Sequence, residues 1–115
     1  MRSYLFVAAV MAFAGCHRAV PPADRDQALV MDAVSERSEA LSECAREHKK
    51  TQPEVGGKVV FNLTFAPDGT PASIQAGPES LRDTVFAKCA ERVLRGITLA
   101  KNHNGYKPVN VPFKF

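Results

Sequence analysis

Cys44 and His48 are the two side chains best suited in type and spacing to catalysis or metal binding, because they are four residues apart. On a helix that spacing places a thiol and an imidazole on one face, as a catalytic thiol with its base or half of a metal site would need. A closed zinc site needs four nitrogen or sulfur ligands, yet the other histidines are His17, near the N-terminus, and His103, in a polar loop. There is also no CxxC motif. We therefore predict no metal site, no cofactor and no thiol catalysis.

An acid and a base for an enzyme would best come from Asp68, Glu79, Asp83 and His103. Asp68 is explained by a turn, Asp83 by the positive end of a helix, and His103 by a solvated loop. No two of them form a recognisable acid and base pair. The sequence therefore favours a protein with no catalytic residues, and a small enzyme is kept as the weaker alternative.

The first sixteen residues are organised as an export signal. Arg2 is followed by an apolar run from Tyr4 to Ala14, which is shorter than the roughly 20 residues of a membrane-spanning helix. Phe13-Ala14-Gly15-Cys16 resembles the lipobox of bacterial lipoproteins, in which small residues precede the cysteine that is lipidated; Phe13 departs from the usual Leu. We predict a lipoprotein signal peptide over 1–15 and lipid attachment at Cys16, with ordinary signal cleavage as the alternative.

The lipobox resemblance implies a location in the cell envelope. Two or more acyl chains on Cys16 would anchor the protein stably without a protein span. The stretch 16–24 contains Pro21-Pro22 and is predicted to be a tether. His17 is not the Asp that retains lipoproteins in the inner membrane of enteric bacteria, so the outer membrane, facing the periplasm, is favoured.

Cys44 and Cys89 remain when Cys16 is assigned to the lipid. An even pair of cysteines in an exported, oxidised protein predicts a disulfide. The bridge would close a loop of about 46 residues, which the chain-entropy model values at roughly 4 kcal/mol.

Composition predicts one globular domain, over residues 25–115. The chain has 115 residues, 45% hydrophobic and 23% charged, and its formal charge of +3 is dispersed among acidic residues. Because no basic stripe is present, nucleic acid is not expected as a partner.

A long helix is predicted at the start of this domain. From about Asp24 to Lys50 the sequence lacks Gly and Pro, and apolar residues recur among charged ones at Val30, Val34, Leu41 and Cys44. From Lys58 to Phe65 apolar and polar residues alternate, which predicts a half-buried strand. The turn Ala66 to Thr70 then predicts a hairpin with a short strand from about Pro71 to Ala76.

A second helix is predicted from an N-cap at Ser80 or a neighbouring position to about Leu94, with an apolar face of Leu81, Val85, Cys89 and Val93 that is flanked by Phe86, Ala90 and Ile97. The last strand is predicted from Tyr106 to Phe115, and its prolines, Pro108 and Pro112, either confine it to a sheet edge or leave ladder hydrogen bonds unmade. The predicted class is α+β, an antiparallel three-stranded sheet packed against two helices in the order α-β-β-α-β.

Two segments carry a family resemblance: the run from Gly56 to Gly69 and the terminal Val111-Pro112-Phe113-Lys114-Phe115. In this order of elements they resemble the TonB C-terminal domain and, more closely, the AgmX/PglI C-terminal domain. The latter carries one cysteine before the first strand and one in the second helix, which Cys44 and Cys89 match. The resemblance covers about Met31 to Phe115.

The resemblance implies a binding module that captures an extended peptide along the terminal strand. The residues carried over as partner-binding are Val109, Asn110, Val111, Phe113 and Lys114. The chain lacks the uncleaved inner-membrane helix and long Pro-rich segment of an energy transducer, so we do not expect that role. The partner is expected to be an envelope protein, and the alternative is a wall-binding or protein-binding lipoprotein that uses a sheet face lined by Lys58, Asn62 and Thr64.

Overall fold

The computed structural model of the protein describes residues 22–115. The predicted signal peptide, the predicted lipidation site Cys16 and most of the predicted tether lie outside the described residues. In chain order the elements are α1 (Pro22–Ser35), α2 (Ser38–Thr51), β1 (Lys58–Phe65), β2 (Pro71–Gly77), a 3₁₀ turn (Glu79–Leu81), α3 (Val85–Arg95) and β3 (Val109–Lys114).

The α+β class and the three-stranded antiparallel sheet are confirmed. The strands lie in the order β2-β1-β3, with β1 at the centre, antiparallel to both neighbours. The bounds of β1 are those predicted, β2 is one residue longer, and β3 begins at Val109, three residues after the predicted start. The apolar residues whose alternation predicted β1 are the ones that the strand buries, namely Val59, Phe61, Leu63 and Phe65.

Our prediction of a single first helix is wrong, because the chain forms two helices in that region. The break lies at Glu36-Arg37, where Arg37 has φ −109° and ψ 18° and its N–H bonds the carbonyl of Val34 at 2.9 Å. The Arg37 guanidinium donates at 2.6 Å to the carbonyl of Gly96, the residue that ends α3. A cation at the negative end of a helix is favourable, so this contact stabilises both the break and the end of α3. α1 also begins at Pro22, inside the stretch predicted as a tether; proline is tolerated in the first turn of a helix.

The second predicted helix begins later than expected. Residues 79–81 form a short 3₁₀ turn, and α3 starts after Thr84, whose hydroxyl accepts the Ala87 N–H at 3.2 Å as an N-cap. The core face is shifted toward Phe86 and Ala90, which were predicted to flank it. Its buried members are Phe86, Ala87, Ala90 and Leu94, while Leu81, Val85, Cys89 and Val93 lie at its margin.

The hydrophobic core lies between one face of the sheet and the helices. Each helix contributes buried residues three or four positions apart: Val30 and Val34, Leu41 and Cys44 with His48, and Phe86, Ala90 and Leu94. The hairpin and the loop after α3 meet at Gly69, where a Cβ would lie 1.9 Å from the Leu99 carbonyl oxygen. Gly69 has φ +93°, so both its backbone and the close approach of Leu99 require glycine.

Candidate docking edge

β3 is an edge strand, and its backbone groups alternate in direction. Among the described residues it pairs only with β1. Gly57 and Phe115 exchange both backbone hydrogen bonds, at 2.9 and 3.0 Å, so every second residue of β3 before Phe115 faces β1 in the same way. The residues whose backbone groups point away from β1 are therefore Asn110, Pro112 and Lys114, and Pro112 offers only a C=O.

The five predicted partner-binding residues are divided between the core and the surface. Val109 and Val111 are 2% and 1% exposed, and their backbone groups are directed to β1. Phe113 is half-buried, and Asn110 and Lys114 are exposed. A partner at this edge would thus meet Asn110, Phe113 and Lys114, while the two valines hold the strand in the core.

Helix α1 covers the first half of this edge. The Gln27 Nε2 amide donates to the Asn110 carbonyl at 3.2 Å, and the buried Asp26 carboxylate accepts the Lys107 N–H at 2.8 Å. Asp26, Val30 and Val34 lie on one face of α1, so the helix that buries its valines also places Gln27 beside the strand. No sequence pattern indicated that Asp26 and Gln27 reach the region of β3.

The second half of the edge borders an apolar groove of about 340 Å³. The groove lies under the end of β3, between the end of α1, one face of α2 and the aromatic ring of Phe86. It is lined by Val34, Ser35, Ser38, Leu41, Ser42, Ala45, Phe86, Phe113 and Lys114. Its α2 wall depends on the break at Glu36-Arg37, which the sequence pattern did not reveal.

Pro112 lies in the middle of the open side of β3. It is opposite Val60 in a pair that does not exchange backbone hydrogen bonds with β1, so its missing N–H costs the sheet nothing. On the open side, however, one donor is absent. With the Asn110 carbonyl occupied by Gln27, the groups on the open side without a partner among residues 22–115 are the Asn110 N–H, the Pro112 C=O, and both groups of Lys114.

Aromatic rings fix the end of β3 beside the groove. Phe86 stacks on Phe115, with ring centroids 4.7 Å apart, and meets Phe113 edge-on at 5.9 Å. Phe113 also contacts Phe61 at 5.8 Å. Such pairs add about 0.5–1.5 kcal/mol each beyond their buried area, so they hold this end of β3 in place.

The predicted bond between Cys44 and Cys89 is present and joins α2 to α3. One turn further along α2, the His48 ring is 1% exposed. Its Nδ1 accepts the Phe86 N–H at 3.1 Å, so its Nε2 carries the proton and donates to the Val55 carbonyl at 2.5 Å. Both ring nitrogens are satisfied by protein groups, and His48 therefore serves the structure.

Side chains cap the first three amides of α3. The Val85 N–H is bonded by the Gln52 side-chain oxygen at 2.8 Å, that of Phe86 by His48, and that of Ala87 by Thr84. Two of these caps come from the C-terminal end of α2 and the residue after it. With the disulfide, they make α2 and α3 one rigid support for the groove.

The residues considered for catalysis are not brought together. The Asn102 N–H donates to the Pro67 carbonyl at 2.8 Å, which places the loop carrying His103 against the turn carrying Asp68. In the described part of the chain no hydrogen bond joins these two, and Asp68 Oδ1 accepts both the N–H and the hydroxyl of Thr70, at 3.0 and 2.7 Å. Glu79 and Asp83 lie past the other end of β2, a strand about 23 Å long.

The outer face of the sheet carries a row of amide side chains. Gln75, Asn62 and Asn110 lie side by side across the three strands, and the Asn62 amide donates to the Asn110 side-chain oxygen at 2.8 Å. The Arg82 Nε donates at 2.8 Å to the Ala76 carbonyl on β2, which holds its guanidinium beside this row. Lys58 and Thr64 lie on the same face, so the face is polar.

Comparisons with protein-family models, with curated proteins and with solved structures found no match. Within residues 22–115 no helix is both long and apolar enough to cross a membrane. In the same range no three or more His, Cys, Asp or Glu side chains are grouped as a metal ion would need.

Proposed function

We propose that the protein is a lipid-anchored, non-enzymatic component of the cell envelope that binds an extended segment of another envelope protein at the end of β3. The observation that carries this proposal is the coincidence of free backbone groups at Pro112 and Lys114 with an apolar groove directly beside them. An added strand gains affinity from main-chain hydrogen bonds and selectivity from pockets for alternate side chains.

The other edge of the sheet is less suited to an added strand. On β2 the residues that point away from β1 are Ala72, Ile74 and Ala76, and Arg82 already occupies the Ala76 carbonyl. Helix α3 packs against β2 on the core side. Beside β2 the space on the core side is taken by α3, whereas beside β3 it is an open groove that could accept side chains of an added strand.

Pairing of two β3 edges with each other is disfavoured. In a symmetric antiparallel pair centred on Pro112, both central hydrogen bonds would need the N–H that proline lacks. The Gln27 contact would block the Asn110 carbonyl at the two ends of such a pair. These features act against self-association while leaving the edge open to a short segment.

The edge is tested by a matched pair of substitutions at Lys114. Lys114→Pro removes the N–H that points to the open side and leaves the ladder with β1 intact, as Pro112 does, while Lys114→Ala removes the charged side chain and keeps the N–H. An unbiased peptide-display selection on the full mature protein should yield ligands that bind the wild type and Lys114→Ala, and lose binding to Lys114→Pro. Ligands that bind Lys114→Pro unchanged would contradict docking at this edge.

The anchor is a separate part of the proposal, supported by the lipobox resemblance at Cys16 and by the disulfide, which fits an oxidising compartment. We place the protein at the outer membrane, facing the periplasm. Intact mass of the protein purified from membranes should give the mass of residues 16–115 plus acyl chains. A soluble protein without acyl mass would overturn the anchor and leave the docking edge to be judged on the Lys114 variants.

A second candidate is binding through the outer sheet face, which the amide row of Gln75, Asn62 and Asn110 supports. Such a face could contact a glycan of the cell wall or another protein. Asn62→Ala removes the centre of the row without touching the core. Wall or protein binding that Asn62→Ala abolishes and Lys114→Pro leaves intact would favour this candidate.

A further inference from the structure

Lys58 and Lys114 lie directly opposite each other where β1 and β3 meet the end of the sheet. Their pair does not exchange backbone hydrogen bonds, and in such pairs the side chains are closest, with Cα atoms about 4.5 Å apart. The ion pairs in the described residues are Arg46 with Glu43 and Arg95 with Glu91, so neither lysine has an acidic partner there. Two like charges facing each other destabilise a sheet, and a carboxylate brought beside them is attracted by both.

An incoming strand would place its side chains at fixed positions relative to these lysines. The residue opposite Lys114 has its side chain on the outer face, next to the Lys114 ammonium. The residue opposite Phe113 has its side chain on the inner face, in the groove between Leu41, Ala45 and Phe86. Because side chains alternate along a strand, these two positions are adjacent in the ligand.

We infer that the segment recognised at this edge carries an acidic residue next to a bulky apolar one, the acid facing Lys114 and Lys58 and the apolar side chain filling the groove. This inference rests on the proposed function and gives the chemistry of its ligand. The α1 contacts through Gln27 and Asp26 restrict the paired register to the end of β3. The ligand is therefore a short segment in which the acidic and apolar pair is the main determinant.

The direction of the ligand follows from the order of that pair. In an antiparallel ligand the residue opposite Lys114 precedes the residue opposite Phe113, so the acid comes first. In a parallel ligand the apolar residue comes first. Both orders are tested with short threonine-rich peptides that contain Glu-Leu or Leu-Glu, each compared with its Gln-Leu or Leu-Gln counterpart.

On the wild-type protein the better Glu peptide should bind about fivefold tighter than its Gln counterpart, the size expected of a cross-strand charge pair. Replacement of its Leu by Ala should weaken binding at least about tenfold, because the groove is left unfilled. On Lys114→Glu the preference should reverse in favour of Gln. Lys114→Glu gives Lys58 an acidic neighbour and should stay folded, and Lys88→Glu, on the exposed side of α3, should leave the preference unchanged.

The groove is tested separately on α2. Ser42→Trp fills the groove from an exposed wall residue, and Glu39→Trp is the matched control, because it lies on the same helix and does not line the groove. Ser42→Trp should remove the advantage of Leu over Ala in the peptide, and Glu39→Trp should preserve it.

The outcomes separate the inference from the function on which it rests. If the display selection yields ligands that need the Lys114 N–H and contain no acidic and apolar pair, or if Glu and Gln peptides bind equally, the inference is overturned and docking at the edge stands. If ligands from the selection ignore Lys114→Pro, the proposed function itself is overturned.

Discussion

The Gln27 side-chain amide on α1 donates a hydrogen bond of 3.2 Å to the backbone carbonyl of Asn110 on β3. One residue earlier, the Asp26 carboxylate accepts the N–H of Lys107, just before the strand. Through these contacts the first helix closes the beginning of the β3 edge and leaves its end, from Pro112 onward, beside the groove. The proposed docking site is therefore defined as much by α1 as by the strand.

The packing of α1 against the β3 edge depends on Asp26. Asp26→Ala leaves the Lys107 N–H without its partner at a part-buried site, and we expect a loss of roughly 1–3 kcal/mol in the free energy of unfolding. Hydrogen exchange of α1 amides should accelerate while β1 stays protected. The control is Asp32→Ala, an exposed position on the same helix, with an expected change within about 0.5 kcal/mol. Equal effects of the two substitutions would contradict the assigned contact.

The disulfide should provide a large share of the stability. Cys44→Ala with Cys89→Ala removes the cross-link between α2 and α3, and the chain-entropy model predicts a loss of about 4 kcal/mol from the free energy of unfolding. Urea denaturation of the oxidised wild type, the reduced wild type and the double variant measures it. The reduced protein and the double variant should unfold at similar urea concentrations, both lower than that of the oxidised wild type. A urea midpoint unaffected by reduction would contradict the prediction.

His48 should be a stability residue. His48→Phe keeps an aromatic ring next to Phe115 and leaves the Phe86 N–H and the Val55 carbonyl unpaired. The buried Phe86 N–H left unpaired costs roughly 1–3 kcal/mol, so the melting temperature should fall by several degrees. His103→Ala, in an exposed loop, should leave the melting temperature nearly unchanged.

Acid should weaken the fold partly through the hairpin turn. The Thr70 backbone N–H and then its hydroxyl lower the pKa of Asp68, and the Arg46 hydrogen bond and charge lower the pKa of Glu43. Both folded values lie below the unfolded ones, near 4, so these groups stabilise the fold above about pH 4 and this contribution is lost as the pH falls further. The difference in urea midpoint between wild type and Asp68→Asn should thus shrink as the pH is lowered from about 7 to about 3. A constant difference across that range would contradict it.

Local patterns were sufficient for the central elements. The alternation from Lys58 to Phe65 predicted β1 with its correct bounds, and the turn at Asp68 and Gly69 predicted the hairpin. Cys44 and Cys89 predicted the disulfide. The strand and the turn could be predicted because the alternation of apolar residues and the turn residues each lie within a short stretch of sequence. The disulfide could be predicted because two cysteines remain once Cys16 is assigned to the lipid.

Contacts between distant segments decided the features that were missed. The break at Glu36-Arg37 has no Gly or Pro to mark it, and it is stabilised by Gly96, which is 59 residues away. The later start of α3 follows from caps that reach Val85 and Phe86 from α2 and the residue after it. The hydrogen bond by which α1 covers the β3 edge joins Gln27 and Asn110, which are 83 positions apart, and no periodicity within α1 indicates it.

Hydrogen exchange at single backbone amides tests the docking edge most directly. In the free protein the Lys114 N–H points to the open side and should exchange fast, whereas the Phe113 and Phe115 amides, directed to β1, should be protected. With a saturating edge-binding peptide, the Lys114 amide should become protected while the Ile74 amide, on the open side of β2, stays fast. A peptide that binds and leaves Lys114 fast, or protects Ile74 in its place, would contradict docking at the end of β3.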